Sequence, residues 1–366
     1  MANVNIGANK NMFFTIIGRI IRALPLICVA VISVRAYGAG HSEANQQTET
    51  RMLLGTVVSV TAYGNVAGDV FDEVFARAQQ IEERMSVSRE DYTDTELLSV
   101  IAAAGREPVV VSPDTYYVVD EALNYSYLTG GAFNVAIEPL VTLWGIGTNH
   151  AAVPSQEQID AALQRIDYHR VQLIPENHSI YLPIPGMGLD VGGIAKGYAA
   201  DEAARILTEN GVEHALLDFG GNVLVVGTKP DGSQWRIGIQ DPDRGANRGA
   251  YVGIVTVTDT AVVTSGPYER YFDEGGVRYH HILDSTTGYP VWNGLQSVTI
   301  IHERSIAADA LSTAVFSMGL DDGMTFVESE EGVEAIFIDE ENRIYISSGL
   351  DGIFTLTSPN FELAER

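Results

Sequence analysis

Residues 189–227 read LDVGGIAKGYAADEAARILTENGVEHALLDFGGNVLVVG, and the fold class turns on them. An apolar approach ends in Asp190, two glycines follow, and a helix is predicted over 194–210, stopping at Gly211. The β-branched run 215–226 predicts strand, expected to pair with 235–239 across the turn Pro230-Asp231-Gly232. Outward from this core, Val70, Phe71, Val74, Phe75, Ala78 and Ile81 recur at helical spacing and predict a helix over 70–84. Further helices are predicted over 95–104, 113–129, 155–165 and 306–318. Strands are predicted over 53–63, 171–173, 179–182, 253–258, 277–283 and 297–301, and within 335–354. Helices and hairpins are interspersed without strict βαβ alternation. The expected class is therefore α+β, with mixed, largely antiparallel sheets and packed helices.

The chain has 366 residues, 46% of them hydrophobic and 19% charged, which is globular composition. Residues 1–40 carry four basic and no acidic residues around an uncharged run at 23–34, with small residues at Ala36, Gly38, Ala39 and Gly40. That order predicts an export signal or an N-terminal membrane anchor over 1–40, and hence an extracytoplasmic, periplasmic-side location. Residues 41–50 are polar and read as a flexible tether, leaving 51–366 as one functional domain. Beyond residue 40 the chain holds 18 basic against 48 acidic residues. Such a surface repels nucleic acid, which is excluded as a partner. An anionic ligand would need a local site of metal, backbone N–H groups and a few cations. The sole cysteine, Cys28, excludes an internal disulfide.

Several segments carry candidate chemistry. The glycines after Asp190 let a ligand approach the backbone, and a helix start with Lys196 in its first turn attracts phosphate; a tight glycine turn is the plain structural alternative. Asp309 and Thr313 are four apart, so on a helix they share a face and offer hard oxygen donors suited to Mg²⁺. Asp309 as an N-terminal cap is the alternative there. His280 and His281 alternate faces in a strand, so at most one faces a site, where a neutral imidazole can act as a base. Gly130-Gly131-Ala132-Phe133-Asn134 lets backbone approach an aromatic ligand ring.

Seven stretches in this order resemble the ApbE family of FAD:protein FMN transferases: LLGT from Leu53, GAFNVAIEPLVTLWGIG from Gly131, LDVGGIAKGYAAD from Leu189, LLDFGGNVLVVG from Leu216, TSGPYER from Thr264, YHHILDSTTGYP from Tyr279 and ADALSTAVFSMG from Ala308. The resemblance implies bound FAD, Mg²⁺ on its diphosphate, and attack by an acceptor threonine on the FMN phosphorus with AMP leaving. The acceptor is expected to be an exported or membrane redox subunit. The implied metal ligands are the Gly193 carbonyl, Asp309 and Thr313. The implied flavin-nucleotide contacts are Leu54, Ser86, Val87, Ser88, Ala132, Phe133, Asn134, Asp190, Lys196 and Ile282, and His281 is the implied base. The chain departs from the family pattern at Asn134 and Ala136 (commonly Asp and Thr), at Pro267 (often acidic) and at Ser285 (often Pro). Two alternatives remain open: a Mg²⁺-dependent FAD pyrophosphatase, and an exported FAD-binding protein without turnover.

Overall fold

The computed structural model describes residues 45–88, 90–243 and 249–364. The predicted leader over 1–40 and the first residues of the predicted tether lie outside the described residues. All described residues fall in one compact unit. None of its helices is long and apolar enough to cross a membrane.

In chain order the elements are β1 (Gln46–Leu53), β2 (Thr56–Tyr63), α1 (Val70–Met85), α2 (Glu96–Ala102), β3 (Val109–Val110), α3 (Pro113–Leu128), α4 (Glu138–Trp144), α5 (Gln156–Leu163), β4 (Gln172–Ile174), β5 (Ser179–Tyr181) and α6 (Ala195–Glu209). There follow β6 (Ala215–Phe219), β7 (Asn222–Val226), β8 (Trp235–Gln240), β9 (Tyr251–Val257), β10 (Thr260–Ser265), β11 (Tyr271–Glu274), β12 (Val277–His280), β13 (Leu295–His302), α7 (Ser305–Met318), α8 (Leu320–Ser329), β14 (Glu334–Asp339), β15 (Arg343–Ile346), β16 (Phe354–Leu356) and β17 (Glu362–Leu363). The expected α+β class is what forms.

A nine-stranded sheet in the order β1-β2-β6-β7-β10-β13-β14-β15-β17 is the frame. Every neighbouring pair is antiparallel except β15 with β17. Alternation along β10 shows how the sheet sorts its faces: Ala261 and Val263 join the core under α1, α6 and α7, whereas Val262 turns to the opposite core. That second core lies between the large sheet and a three-stranded sheet, β16-β9-β8, through Trp235, Ile237, Val255 and Phe354. A third, smaller cluster joins α4 and α5 to the β11–β12 hairpin, with Trp144 wholly buried beside Tyr279, Phe272 and Tyr289. That hairpin turns on Gly275 and Gly276, both at positive φ.

Three expectations are corrected. The run 215–226 is two strands, because Gly220 and Gly221, at φ +67° and +95°, supply a hairpin turn inside it. The turn at Pro230-Asp231-Gly232 forms, but it leads out of the large sheet: β8 pairs with β9. Finally, residues 46–50 belong to a paired strand and not to a tether. A two-residue turn at Leu54 and Gly55 folds β1 onto β2, and hydroxyl pairs such as Thr48 with Thr61 and Thr50 with Ser59 suit this polar run to a sheet edge. Helices α4 and α8 and strands β3, β10, β11 and β17 were not anticipated; α4 is seven residues long and apolar throughout most of its length, which hides its period.

Candidate functional site

The start of α6 organises the site. Val191 O accepts from the N–H groups of Ile194 and Ala195, at 3.0 and 2.8 Å, which turns the chain into the helix. Its N-cap, Ile194, has no side-chain oxygen to satisfy the free N–H groups. A carboxylate from another helix does so: Asp309 Oδ2 accepts from the Gly197 N–H at 2.9 Å. Asp309 is therefore a cap, as the structural alternative held, but of α6 and not of its own helix. Its other oxygen, Oδ1, takes the Lys196 ammonium at 3.2 Å, and Lys196 Nζ also donates to Gly192 O at 3.2 Å. Both side chains are largely sequestered, with the Asp309 side chain only 4% exposed.

Close approach of α6 to α7 makes this possible. A Cβ placed on Gly197 would lie 2.3 Å from Ser305 O and 2.7 Å from Ile306 Cα. A helix-interior glycine costs about 1 kcal/mol relative to alanine, and here it lets two backbones touch. The contact is completed by Asp201 of α6, which accepts from the Ser305 and Ile306 N–H groups at 2.8 and 2.9 Å. Burial pushes the Asp201 carboxyl up to about 6, against the pull of those two N–H groups.

Gly193 lies between the Phe133 ring and Thr313: a Cβ there would be 3.2 Å from Phe133 Cε2 and 3.4 Å from Thr313 Oγ1. The spacing of Asp309 and Thr313 on α7 thus brings the hydroxyl beside Gly193 and the carboxylate onto Gly197 and Lys196 just after it. Among the described residues no group of three or more His, Cys, Asp or Glu side chains is placed to hold a metal. A cation here would draw on one carboxylate, one hydroxyl and a peptide carbonyl, all hard oxygens, and on oxygens of its ligand. That donor set fits Mg²⁺, which keeps few protein ligands.

Asp190 fixes the same turn from the other side. Its Oδ1 accepts the Gly192 N–H at 2.6 Å, and its own N–H donates to Val135 O at 2.9 Å, tying the turn to the 132–135 stretch. Burial raises the Asp190 carboxyl, opposed by the Gly192 N–H and by the charges of Arg270 and Lys196. Phe133 is buried, and Asn134 spends its Oδ1 on the Ala136 N–H at 3.0 Å.

The two histidines divide as the strand period requires. His280 is buried; Nε2 donates to Val291 O at 2.8 Å and Nδ1 accepts from the Ile282 N–H, so both ring nitrogens are engaged in the fold. His281 Nδ1 lies 3.3 Å from Arg270 O, which can only accept. That fixes the proton on Nδ1 and leaves Nε2 as a base. Desolvation, then the Arg270 charge, pushes His281 down to about 3, so it stays neutral.

Leu54 and the Ser86–Ser88 stretch are held locally. Leu54 occupies the left-handed region at φ +54°, a costly position for leucine. Ser86 O accepts from Thr95 Oγ1 at 2.8 Å, and Ser88 Oγ donates to Asp91 at 2.9 Å. None of their described bonds reaches the Asp309 cluster. Ile282 is buried and its carbonyl takes the Val291 N–H. Sequence reasoning missed Asp201, Gly197 and Arg270. For Gly197 a signal existed, a glycine in the first turns of a strong helix. The other two carry no spacing that marks them.

Comparison with known proteins follows the same segments. The ApbE family model matches residues 54–337. A FAD:protein FMN transferase of Treponema pallidum is 37% identical, covering 89% of this chain and 92% of that protein. One from Klebsiella pneumoniae is also 37% identical, over 81% of this chain and 90% of its own length. The crystal structure of the ApbE protein of Thermotoga maritima superposes with a TM-score of 0.78 at 33% identity, covering 84% of this chain and 99% of that one. The flavin transferase ApbE of Vibrio cholerae gives 0.75 at 29% identity, over 85% and 99%.

Proposed function

The chain belongs to the ApbE family, and from that premise we propose that it is a FAD:protein FMN transferase acting with Mg²⁺ on an acceptor threonine. It moves FMN from FAD to a protein. The observation that carries the site assignment is the meeting of Lys196, Asp309, Thr313 and the Gly192-Gly193 turn at the start of one helix. In a chain of net charge -26, a diphosphate needs such a point of neutralisation. Asp309, Thr313 and the Gly193 carbonyl would hold Mg²⁺, which when bound would supply charge neutralisation on the diphosphate. Lys196, steered by Asp309 and Gly192 O, presents its ammonium to phosphate oxygens. The α6 N-terminus adds its dipole. Asp190 and Phe133 shape the turn on which the nucleotide rests. His281 Nε2 accepts the acceptor's hydroxyl proton; a threonine hydroxyl is a weak nucleophile without a base. Bound phosphate strengthens that base, because its negative charge opposes the Arg270 field that adds to desolvation in holding His281 neutral.

Residues 1–40 support export and action on the periplasmic side of a membrane, where the acceptor would be a redox subunit. Incubation with FAD, Mg²⁺ and a candidate acceptor tests the reading. Covalent FMN on an acceptor threonine by mass spectrometry is expected. FMN and AMP released without acceptor modification would replace it with a pyrophosphatase, and retained FAD without products with a binding protein.

A further inference from the structure

Arg270 does more than orient His281. Its carbonyl oxygen accepts the His281 backbone N–H at 3.1 Å and faces Nδ1 at 3.3 Å, which locks the two residues side by side at the end of the β11–β12 ladder. Its side chain runs towards the loop after α4: a Cβ placed on Gly147 would lie 3.5 Å from Arg270 Cδ.

The guanidinium is the second point. Arg77, Arg84, Arg205, Arg304 and Arg343 each grip a carboxylate. Arg270 forms no ion pair among the described residues, in a chain with 48 acidic residues and 22 basic ones. Yet its charge is felt by Asp190, Glu269 and His281, so it stands within electrostatic reach of the Asp190 side of the turn and of the His281 ring. An exposed guanidinium in that place keeps its forked donors free for an anion.

Resting on the FMN-transfer reading, we propose that Arg270 binds the non-bridging oxygens of the FMN phosphoryl group during transfer and stabilises the charge that develops there. The threonine Oγ forms the new bond to the FMN phosphorus, and its proton passes to His281 Nε2. The phosphorus–oxygen bond to AMP breaks, and its electron pair leaves on AMP. In-line displacement puts the attacking and leaving oxygens on opposite sides of the phosphorus. Arg270 is tied to the residue carrying the base, so it serves the attacking side and the equatorial oxygens. Lys196, tied to Asp309, serves the diphosphate.

The test uses the full enzyme with FAD, Mg²⁺ and an acceptor that the wild type modifies. Failure of the wild type to modify any acceptor overturns the transfer reading itself and this inference with it. With an active wild type, Arg270→Ala is expected to lower kcat by about 100-fold or more while KM for FAD changes by less than about threefold. Arg270→Lys should recover part of the loss. Millimolar guanidinium chloride should partly rescue Arg270→Ala, and urea at the same concentration should not. Wild-type kcat in Arg270→Ala overturns the inference. So does a loss confined to KM, which would mark Arg270 as a ground-state FAD anchor. If Arg270→Ala does not fold by circular dichroism, Arg270→Gln takes its place; loss of kcat there with no recovery in Arg270→Lys also overturns it.

Discussion

Asp201 and Asp309 cap each other's helices. Asp201, on α6, holds the Ser305 and Ile306 N–H groups that open α7; Asp309, on α7, holds the Gly197 N–H in the first turn of α6. Neither helix has a side-chain cap of its own. The pair that positions the candidate metal ligand is therefore also a structural clasp.

Asp201 gives that clasp a pH dependence. Its folded value is raised from 3.8 to about 6, so between those values the folded chain holds a proton that the unfolded chain has released. The contribution is complete below about pH 4 and is lost as pH rises through 6. Asp201→Asn should remove this leg of the stability curve. It should also lower stability by about 1–3 kcal/mol, since an amide oxygen cannot serve both N–H groups as a carboxylate does. Urea midpoints from pH 4 to 7 check both; a variant whose curve still falls across this window as the wild type's does would overturn the assignment.

Gly197→Ala should force α6 and α7 apart. The added methyl meets backbone on both Ser305 and Ile306, which cannot swing aside. A loss of about 1–3 kcal/mol is expected by analogy with overpacked cores, together with reduced turnover because the Asp309 bond to residue 197 lengthens. Equilibrium unfolding and steady-state kinetics on the same preparation test the two parts.

The adjacent histidines should separate cleanly. His280→Ala removes a buried ring that bridges Val291 O and the Ile282 N–H, and should lower the melting temperature. His281→Ala should melt near the wild type, retain FAD, and lose transfer. A His281→Ala protein unable to hold FAD would show that the ring binds and does not act as a base. Because His281 is pushed down to about 3, the unfolded chain takes up a proton below pH 6.5 that the folded chain refuses. Stability should fall as pH drops from about 6.5 towards 3, and His281→Gln should flatten that slope by up to one proton.

Asp309→Ala should abolish turnover and free Lys196. The variant loses the proposed metal-ligand oxygen and the α6 cap together, so a drop of about 1 kcal/mol in stability should accompany the lost activity. Excess chelator on the wild-type enzyme should stop turnover and leave the cap in place. Full activity in chelator would remove Mg²⁺ from the scheme.

How much of this was written in the sequence depends on the range of each interaction. The helices at 70–85, 113–128, 195–209 and 305–318 were legible because their apolar residues recur at helical spacing, and the Asp309–Thr313 face followed from a spacing of four. The destination of 235–240 was not legible. Its turn chemistry is local, whereas the choice of sheet depends on Trp235 and Ile237 finding Val255 and Phe354 far along the chain. Likewise the α6 cap comes from 112 residues away and Asp201 meets α7 more than 100 residues on, so no window of sequence contains either bond. Motif resemblance supplied Lys196 and His281, but Arg270, at the end of the separate TSGPYER stretch, gave no sign that its guanidinium would be left free.

The two-glycine turn of the β11–β12 hairpin has a consequence for how such an enzyme can change. Glu274 faces Val277 across it, and counting back from that pairing puts Tyr271 opposite His280 and leaves His281 beside Arg270. Strand faces alternate, so a slip of a single residue would exchange the two imidazoles: the proposed base would go into the protein interior and the structural ring would come out in its place. The hairpin is thus a selector with two settings, and Gly275-Gly276 is its stop. Insertions there should disable the enzyme while every residue of the proposed site remained in the gene.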